Sequence, residues 1–64
     1  MRRVRITGGM KEFIGKTGTV IGFEQYGKRD PKLWRVRLDT PVTIEGVGEV
    51  RSDLWENRYL RTIR

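Results

Sequence analysis

Residues 10–24 read MKEFIGKTGTVIGFE and carry three glycines in and around the best strand-forming segment of the chain, Gly15, Gly18 and Gly22. A glycine inside a strand costs roughly 0.5–1 kcal/mol relative to alanine, so each one needs a structural reason. We expect Gly15 and Gly18 to form a tight turn with positive φ angles. Lys16 and Thr17 would then lie exposed at its tip, as a plain β-turn or as a cation and hydroxyl facing a phosphate. Gly22 indicates a coil or a bulge in the strand at residues 17–24, and not a ligand contact.

Alternating side chains predict a strand on either side of this stretch. In RRVRI, at residues 2–6, Val4 and Ile6 alternate with Arg3 and Arg5. This period of two is typical of a strand with one buried face and one solvent face. Between the two strands, Gly8 and Gly9 predict a loop, and the apolar Phe13 and Ile14 are expected to fold back under the sheet.

The most regular alternation lies at residues 33–39, LWRVRLD, and predicts the third strand. Trp34, Val36 and Leu38 are expected to face the core, whereas the residues between them face solvent, namely Arg35, Arg37 and Asp39. The polar connection before this strand, QYGKRDPK at residues 25–32, is long enough to project as a loop.

The last third of the chain predicts two more strands and one short helical turn. TPV at residues 40–42 interrupts the third strand, so a fourth would begin near Val42 and bend at Gly46 and Gly48. SDLWEN, at residues 52–57, indicates a single 3₁₀ turn that Ser52 would cap, with Trp55 packing under the final strand. RYLRTIR, at residues 58–64, predicts that strand, and its pattern leaves open whether Leu60 or Ile63 points inward.

These elements predict an all-β fold, a small five-stranded, strongly bent SH3-like barrel with one 3₁₀ turn before the last strand. Residues 1–64 form one such domain. A flat sheet cannot cover its own apolar face in a chain of 64 residues, so the sheet must curl on itself. An oligonucleotide-binding barrel is the alternative, although that fold usually has longer strands and a helix between the third and fourth.

The segment RVRITGGMKEFIGKTGTVIGFE, at residues 3–24, resembles the KOW motif. That motif has an apolar strand ending in glycine, a short loop, and then Gly-Lys-x-Gly-x-Val, here Gly15, Lys16, Gly18 and Val20. The similarity covers about a third of the chain. It implies the first two strands of an SH3-like barrel, in a family that includes ribosomal large-subunit proteins and transcription elongation factors. Many members bind RNA or the transcription machinery. The loop differs from the motif at Glu12 and Phe13, where basic and small residues are common.

Charge is the most informative bulk property. The chain has 14 basic and 8 acidic residues, a net charge of +6, and ten of the cations are arginine. Residues 1–37 carry a net charge of +7 and residues 38–64 carry −1. Arginine matches phosphate oxygens with its planar fork, so the excess predicts a polyanionic partner, unless it serves only solubility.

The chain has no cysteine and no histidine. It therefore lacks a disulfide framework and the commonest metal ligand and general base, which argues against an enzyme, a catalytic residue, a metal site or a cofactor. No apolar run reaches the length of a membrane span or of a signal peptide, so we expect a cytoplasmic protein with no membrane or small-molecule partner.

These observations predict a non-catalytic module that contacts the phosphate backbone of RNA or DNA through a basic barrel face, without a recognition helix for sequence readout. The predicted contacts are nine residues on the outer strand faces and in the connecting loops: Arg3, Arg5, Lys16, Tyr26, Lys28, Arg29, Lys32, Arg35 and Arg37. Tyr26 and Phe13 are the candidate stacking residues, and Phe13 is also a core candidate. The alternative is an assembly subunit that binds an acidic protein surface or a nucleoprotein, or that self-associates through an open sheet edge.

Overall fold

The computed structural model describes residues 1–63 and shows an all-β chain with five strands and two 3₁₀ turns. The strands are β1 (Arg3–Ile6), β2 (Thr17–Glu24), β3 (Leu33–Ile44), β4 (Gly48–Glu56) and β5 (Leu60–Ile63). The 3₁₀ turns are η1 (Lys11–Phe13), after β1, and η2 (Asn57–Tyr59), before β5. Arg64, the last residue of the predicted final strand, lies outside the described residues.

The strands form one antiparallel sheet in the order β4-β3-β2-β1-β5. Within residues 1–63, β4 and β5 are not paired with each other, so the sheet is open. The prediction of an all-β chain with five strands is confirmed, as are the bounds of β2. The 3₁₀ turn at η1 was not predicted.

The long strand β3 corrects the prediction of a break at residues 40–42. β3 continues to Ile44, and the register with β4 shifts between Arg37 and Val42. Pro41 lies in this unpaired stretch, which is where a residue without a backbone N–H is tolerated in a sheet. The bend is therefore inside β3, and Gly46 belongs to the turn that joins β3 to β4.

The predicted 3₁₀ turn at residues 52–57 is also displaced. Ser52 is not a cap, because it lies in β4 opposite Arg37, and Trp55 lies opposite Trp34 in the same ladder. The turn before the last strand is η2 instead. Capping residues in SDLWEN suggested a helix, but pairing with β3 provides partners for the backbone groups of residues 52–56 that face β3, and this long-range pairing prevails over the local preference.

The core lies on one face of the sheet, and η1 contributes Phe13 to it. It consists of eight buried side chains: Val4, Ile6, Phe13, Val36, Leu38, Ile44, Trp55 and Leu60. Phe13 packs edge to face on Trp55, with ring centroids 5.2 Å apart. Phe13 is thus a core residue and not a stacking platform, and of the two candidates in β5, Leu60 is the buried one.

Two residues expected in the core lie at its margin or outside it. Trp34 is only half-buried and packs against the core from the side, and Ile14 is 50% exposed. Backbone bonds between the η1 segment and β1, from Ile6 N to Lys16 O and from Gly15 N to Ile6 O, hold Ile14 at the surface side of the loop. The loop can bury one large side chain against Trp55, and Phe13 occupies that place.

Candidate nucleic-acid interface

The outer face of the sheet brings arginines from three strands into adjacent rows. Arg5 in β1 lies opposite Thr17 in β2 and opposite Arg61 in β5. In the next row, Arg3 lies opposite Thr19, and Thr19 lies opposite Arg37 in β3. Residues that are directly opposite in an antiparallel ladder point to the same side. Arg3 and Arg37 are therefore on one face, two strand spacings or about 10 Å apart.

The guanidinium of Arg3 is fully engaged within the sheet. It donates to Asp39 Oδ1 and Oδ2 at 2.5 and 2.6 Å, and to the Thr19 hydroxyl at 3.0 Å. The Thr17 hydroxyl also donates to Asp39 Oδ2, at 2.6 Å. Paired, bidentate geometry of this kind is the strong form of an arginine–carboxylate contact. Arg3 and Asp39 thus tie β1 to β3 across β2.

This contact changes the proton affinity of both groups. The hydrogen bonds from Arg3 and then from Thr17 hold the pKa of Asp39 well below its ordinary value, and the charge of Arg37 acts in the same direction. The hydrogen bond to Asp39 raises the pKa of Arg3. Asp39 is therefore ionised near neutral pH, where its charge neutralises that of Arg3.

Arg5 and Arg61 are arranged differently, although they lie in the neighbouring row. Both are exposed and they face each other directly across the β1–β5 ladder. Among the described residues, no carboxylate lies within salt-bridge distance of either guanidinium, nor of the exposed Arg37. Like charges directly opposite in a sheet are destabilising. The face therefore carries three guanidinium groups that are available to an external anion.

The row next to the β2–β3 connection is mixed in charge. Arg35 in β3 donates to Glu24 in β2 at 2.7 Å, and Glu56 in β4 lies opposite Leu33. These two carboxylates stand between the arginine rows and the cations of the connection. The predicted contact residues consequently form two groups: an outer-face group of Arg3, Arg5, Lys16, Arg35 and Arg37, and a connection group of Tyr26, Lys28, Arg29 and Lys32.

The connection group is exposed and ordered by local hydrogen bonds. Gln25 Nε2 donates to the Asp30 carbonyl at 2.9 Å, and the Asp30 N–H donates to the Gly27 carbonyl at 3.1 Å. Tyr26 is 73% exposed, and the Lys32 ammonium lies 4.8 Å from the ring centroid of Phe23. Lys28 and Arg29 extend into solvent at the tip.

The prediction of positive φ angles at Gly15 and Gly18 is confirmed for Gly15 only. Gly15 has a φ of +88°, which a side chain would oppose. Gly18 does not have a positive φ; it is glycine because a Cβ there would lie 2.4 Å from the Arg37 carbonyl oxygen. Gly22 follows a register shift with β3, which confirms the bulge predicted for this strand.

A shallow cavity of about 240 Å³ opens beside this turn, and its walls include Lys16, Thr17 and Asp39. The Thr17 hydroxyl is directed to the Asp39 carboxylate and not to the opening. Lys16 is exposed at the rim. The cavity thus presents an ammonium beside a carboxylate, so it does not resemble a cradle for phosphate, and Lys16 is better seen as the edge of the arginine face.

Three residues of the site were not identified from the sequence: Arg61, Asp39 as the partner of Arg3, and the exposed ring of Phe23. Arg61 has a local signal, because it follows the apolar Leu60 and so alternates away from the core. Its position opposite Arg5 depends on β5 pairing with β1, which lies more than fifty residues earlier. No pattern within either segment predicts that pairing.

Within residues 1–63, no group of three acidic, histidine or cysteine side chains is placed to hold a metal ion. None of the helical segments in the same residues has the length and apolar character needed to cross a bilayer. Comparison with protein-family models, curated proteins and solved structures finds no match to this chain.

Proposed function

We propose that this protein is a non-catalytic nucleic-acid-binding module that holds the phosphate backbone of RNA or DNA on its outer sheet face. The observation that carries the proposal is the direct cross-strand pair of Arg5 and Arg61, exposed and without a carboxylate partner. A repulsive pair of this kind is stabilised by an anion that binds both guanidinium groups. Phosphate oxygens match that geometry because each guanidinium offers parallel donors.

The arginines of this face have different roles, depending on whether a carboxylate already pairs with them. Arg5, Arg37 and Arg61 contact phosphates, and Lys16 extends the positive edge. Arg3 and Arg35 already have carboxylate partners, so they position the strands and contribute less to binding. Contacts to phosphate hold and orient a nucleic acid but carry no sequence information, so binding is nonspecific on this face.

The architecture that we propose is a strongly bent SH3-like barrel in which the open edges of the sheet remain unjoined. The strand order β4-β3-β2-β1-β5 and the 3₁₀ turn before β5 support it. The Gly-Lys-x-Gly-x-Val segment at residues 15–20 supports it as well, since it forms the turn into β2 as the KOW resemblance implies.

The test is the salt dependence of binding. Each phosphate neutralised in a single strand contributes about −0.7 to the slope of log K against log salt concentration, so three contacts give a slope of about −2. We expect the double variant Arg5→Ala with Arg61→Ala to bind a labelled oligonucleotide more weakly at low salt, with a slope smaller in magnitude by about 1 to 1.5.

The matched control removes the same charge elsewhere. In Arg51→Ala with Arg58→Ala, the two lost guanidinium groups are already paired with Glu49 at 2.6 Å and Glu56 at 3.1 Å. The control should retain the slope of the wild type. Equal slopes for the two double variants, or a wild-type affinity that does not change with salt, would refute the assignment.

A second candidate is self-association through β4, and the open sheet is the observation that favours it. β4 is nine residues long and lies at one end of the strand order, so its outer backbone groups have no strand partner in the described chain. Exposed charges on the strand, Glu49, Arg51 and Asp53, oppose such pairing. Sedimentation velocity distinguishes the two: a monomer at high concentration excludes this candidate.

A further inference from the structure

The second half of β2 has a neighbour on one side only. β1 pairs with β2 from Thr17 to Thr19, and a last bond joins Val20 N to Arg2 O. Beyond that point, Gly22, Phe23 and Glu24 pair only with β3. This segment therefore has no strand on its second edge, and no β1 side chain lies beside Phe23 in the sheet.

Phe23 is the large apolar side chain that this geometry leaves in solvent. It is 53% exposed and lies opposite the half-buried Trp34, with ring centroids 5.4 Å apart and planes inclined by 53°. Trp34 therefore restricts one side of the Phe23 ring while the rest stays open. A single exposed apolar side chain is ordinary on a protein surface. Phe23 differs because it is paired with a second aromatic ring and has a cation on its face, which together offer a flat ligand both stacking and charge.

The surroundings of the ring carry positive charge. The Lys32 ammonium lies 4.8 Å from the Phe23 centroid, and Lys28 and Arg29 are exposed in the same connection. Lys32 is itself exposed on a flexible stem, so it can leave the ring face and contact an anion. An aromatic ring with one exposed cation on its face, and two more exposed cations in the adjoining connection, matches a polymer that has flat bases and a charged backbone.

We propose that Phe23 and Trp34 form a stacking platform for unpaired bases, so that the polymer bound is single-stranded. The inference rests on the proposed function, since it needs a protein that binds the phosphate backbone. Phe23 and Trp34 lie on the face of the sheet opposite Arg35 and Arg37, so the backbone contacts beside the platform come from the connection, with Lys32 at the ring and Lys28 and Arg29 in the same segment. Bases inside a duplex are already stacked on their neighbours and cannot place a face on Phe23. A Phe ring offers no hydrogen bond, so the platform accepts any base, as in other sequence-tolerant single-strand sites.

The experiment compares three probes of about ten nucleotides: a single-stranded oligothymidylate, an abasic strand with the same number of phosphates, and a duplex. Fluorescence anisotropy at one low salt concentration gives the three affinities. We expect the wild type to bind oligothymidylate about tenfold or more tightly than the abasic strand, as one stacked base allows. The duplex should bind no better than the abasic strand.

The variants separate stacking from charge. Phe23→Leu keeps an apolar side chain but removes the ring, so its affinity for oligothymidylate should fall to that for the abasic strand, which itself should not change. Phe23→Tyr should keep the preference. Val47→Ala removes an exposed apolar side chain from the β3–β4 turn and serves as the matched control, with no change on any probe. Circular dichroism checks that each variant is folded.

The outcomes distinguish the two proposals. Equal wild-type affinity for oligothymidylate and abasic strand, with normal salt dependence, overturns the stacking platform and leaves the phosphate-binding face. A Phe23→Leu protein that keeps the full preference also overturns the platform. Absence of salt-dependent binding to all three probes overturns the proposed function and the platform together.

Discussion

The two halves of β2 belong to one strand but have different surroundings. In the first half, Gly18 is buried with no room for a side chain. There the Thr17 hydroxyl donates to Asp39, and the Thr19 hydroxyl accepts from Arg3. In the second half, Ile21 and Phe23 are 45% and 53% exposed, and a Cβ on Gly22 would meet nothing within 4 Å. The bulge between Val20 and Gly22 separates the two.

The difference shows that the neighbouring elements, a 3₁₀ turn in one case and a strand in the other, decide which aromatic side chain is buried, and not the residue type. Trp34 has two register partners, Phe23 on β2 and Trp55 on β4. β4 is an edge strand, yet Trp55 is 5% exposed because η1 places Phe13 against it. β2 is an inner strand, yet Phe23 is open because β1 is only four residues long and ends before reaching it.

The largest expected effect contrasts the two partners of Trp34. Trp55→Ala should cost about 3–5 kcal/mol, as is typical of a buried aromatic residue, and this is enough to unfold much of a small domain. Phe23→Ala should cost about 1 kcal/mol, the value of an aromatic pair at a surface. Urea unfolding followed by far-ultraviolet circular dichroism measures both. Equal losses would mean that the second half of β2 is as well packed as the first.

The second contrast uses the two glycines of β2. Gly18→Ala puts a methyl group 2.4 Å from a backbone oxygen and 2.7 Å from Val36 Cγ1, and should destabilise the fold by about 1–3 kcal/mol. Gly22→Ala has open space and no positive φ, so its stability should change little or rise by about 0.5 kcal/mol. Thermal unfolding of the two variants gives the comparison. A Gly18→Ala protein as stable as Gly22→Ala would mean that β2 and β3 can separate without loss.

The smallest expected effect is the pH dependence of Asp39. Its pKa is lower in the folded chain than in the unfolded chain, so the unfolded state binds more protons as the solution becomes acidic. The stabilisation is complete above the ordinary aspartate pKa and is lost as pH falls below it toward the folded value. Asp39→Asn should therefore be less stable than the wild type near neutral pH, with a difference that shrinks in acid.

Two further measurements test whether Asp39 stabilises the fold through its charge. The stability difference should also shrink at high salt, because the Arg3–Asp39 pair is solvent-accessible. Thr17→Val removes one hydrogen bond to the carboxylate and leaves the charge pair, so its stability difference from the wild type should change less with pH than that of Asp39→Asn. A stability difference between wild type and Asp39→Asn that stays constant from neutral to acidic pH would show that Asp39 acts through packing and not through its charge.

Local sequence patterns were sufficient to predict the elements whose residue types follow a regular strand pattern. The start of β3 and the outward direction of Arg5 and Arg37 follow from side chains that switch between apolar and charged at every residue. The bounds of β2 follow from its run of β-branched and aromatic residues. The bend in β3 and the strand character of residues 52–56 did not follow. The capping residues of SDLWEN are a local signal for a helix, whereas pairing with β3 is a long-range interaction that holds residues 52–56 in a strand. Pro41 is a local signal for a break, but β3 continues through it because it lies where the ladder with β4 is interrupted.

The basic character of the chain and the arginine-rich outer faces of its strands are determined by the sequence alone, because charge and alternation are properties of consecutive residues. Which arginines are neutralised and which are free is determined by the tertiary structure. Arg3 and Arg5 stand two positions apart in the same strand, and only the folded sheet puts Asp39 beside the first and Arg61 beside the second. Electrostatic interactions at contact distance depend on register and strand order, which connect residues far apart in the chain.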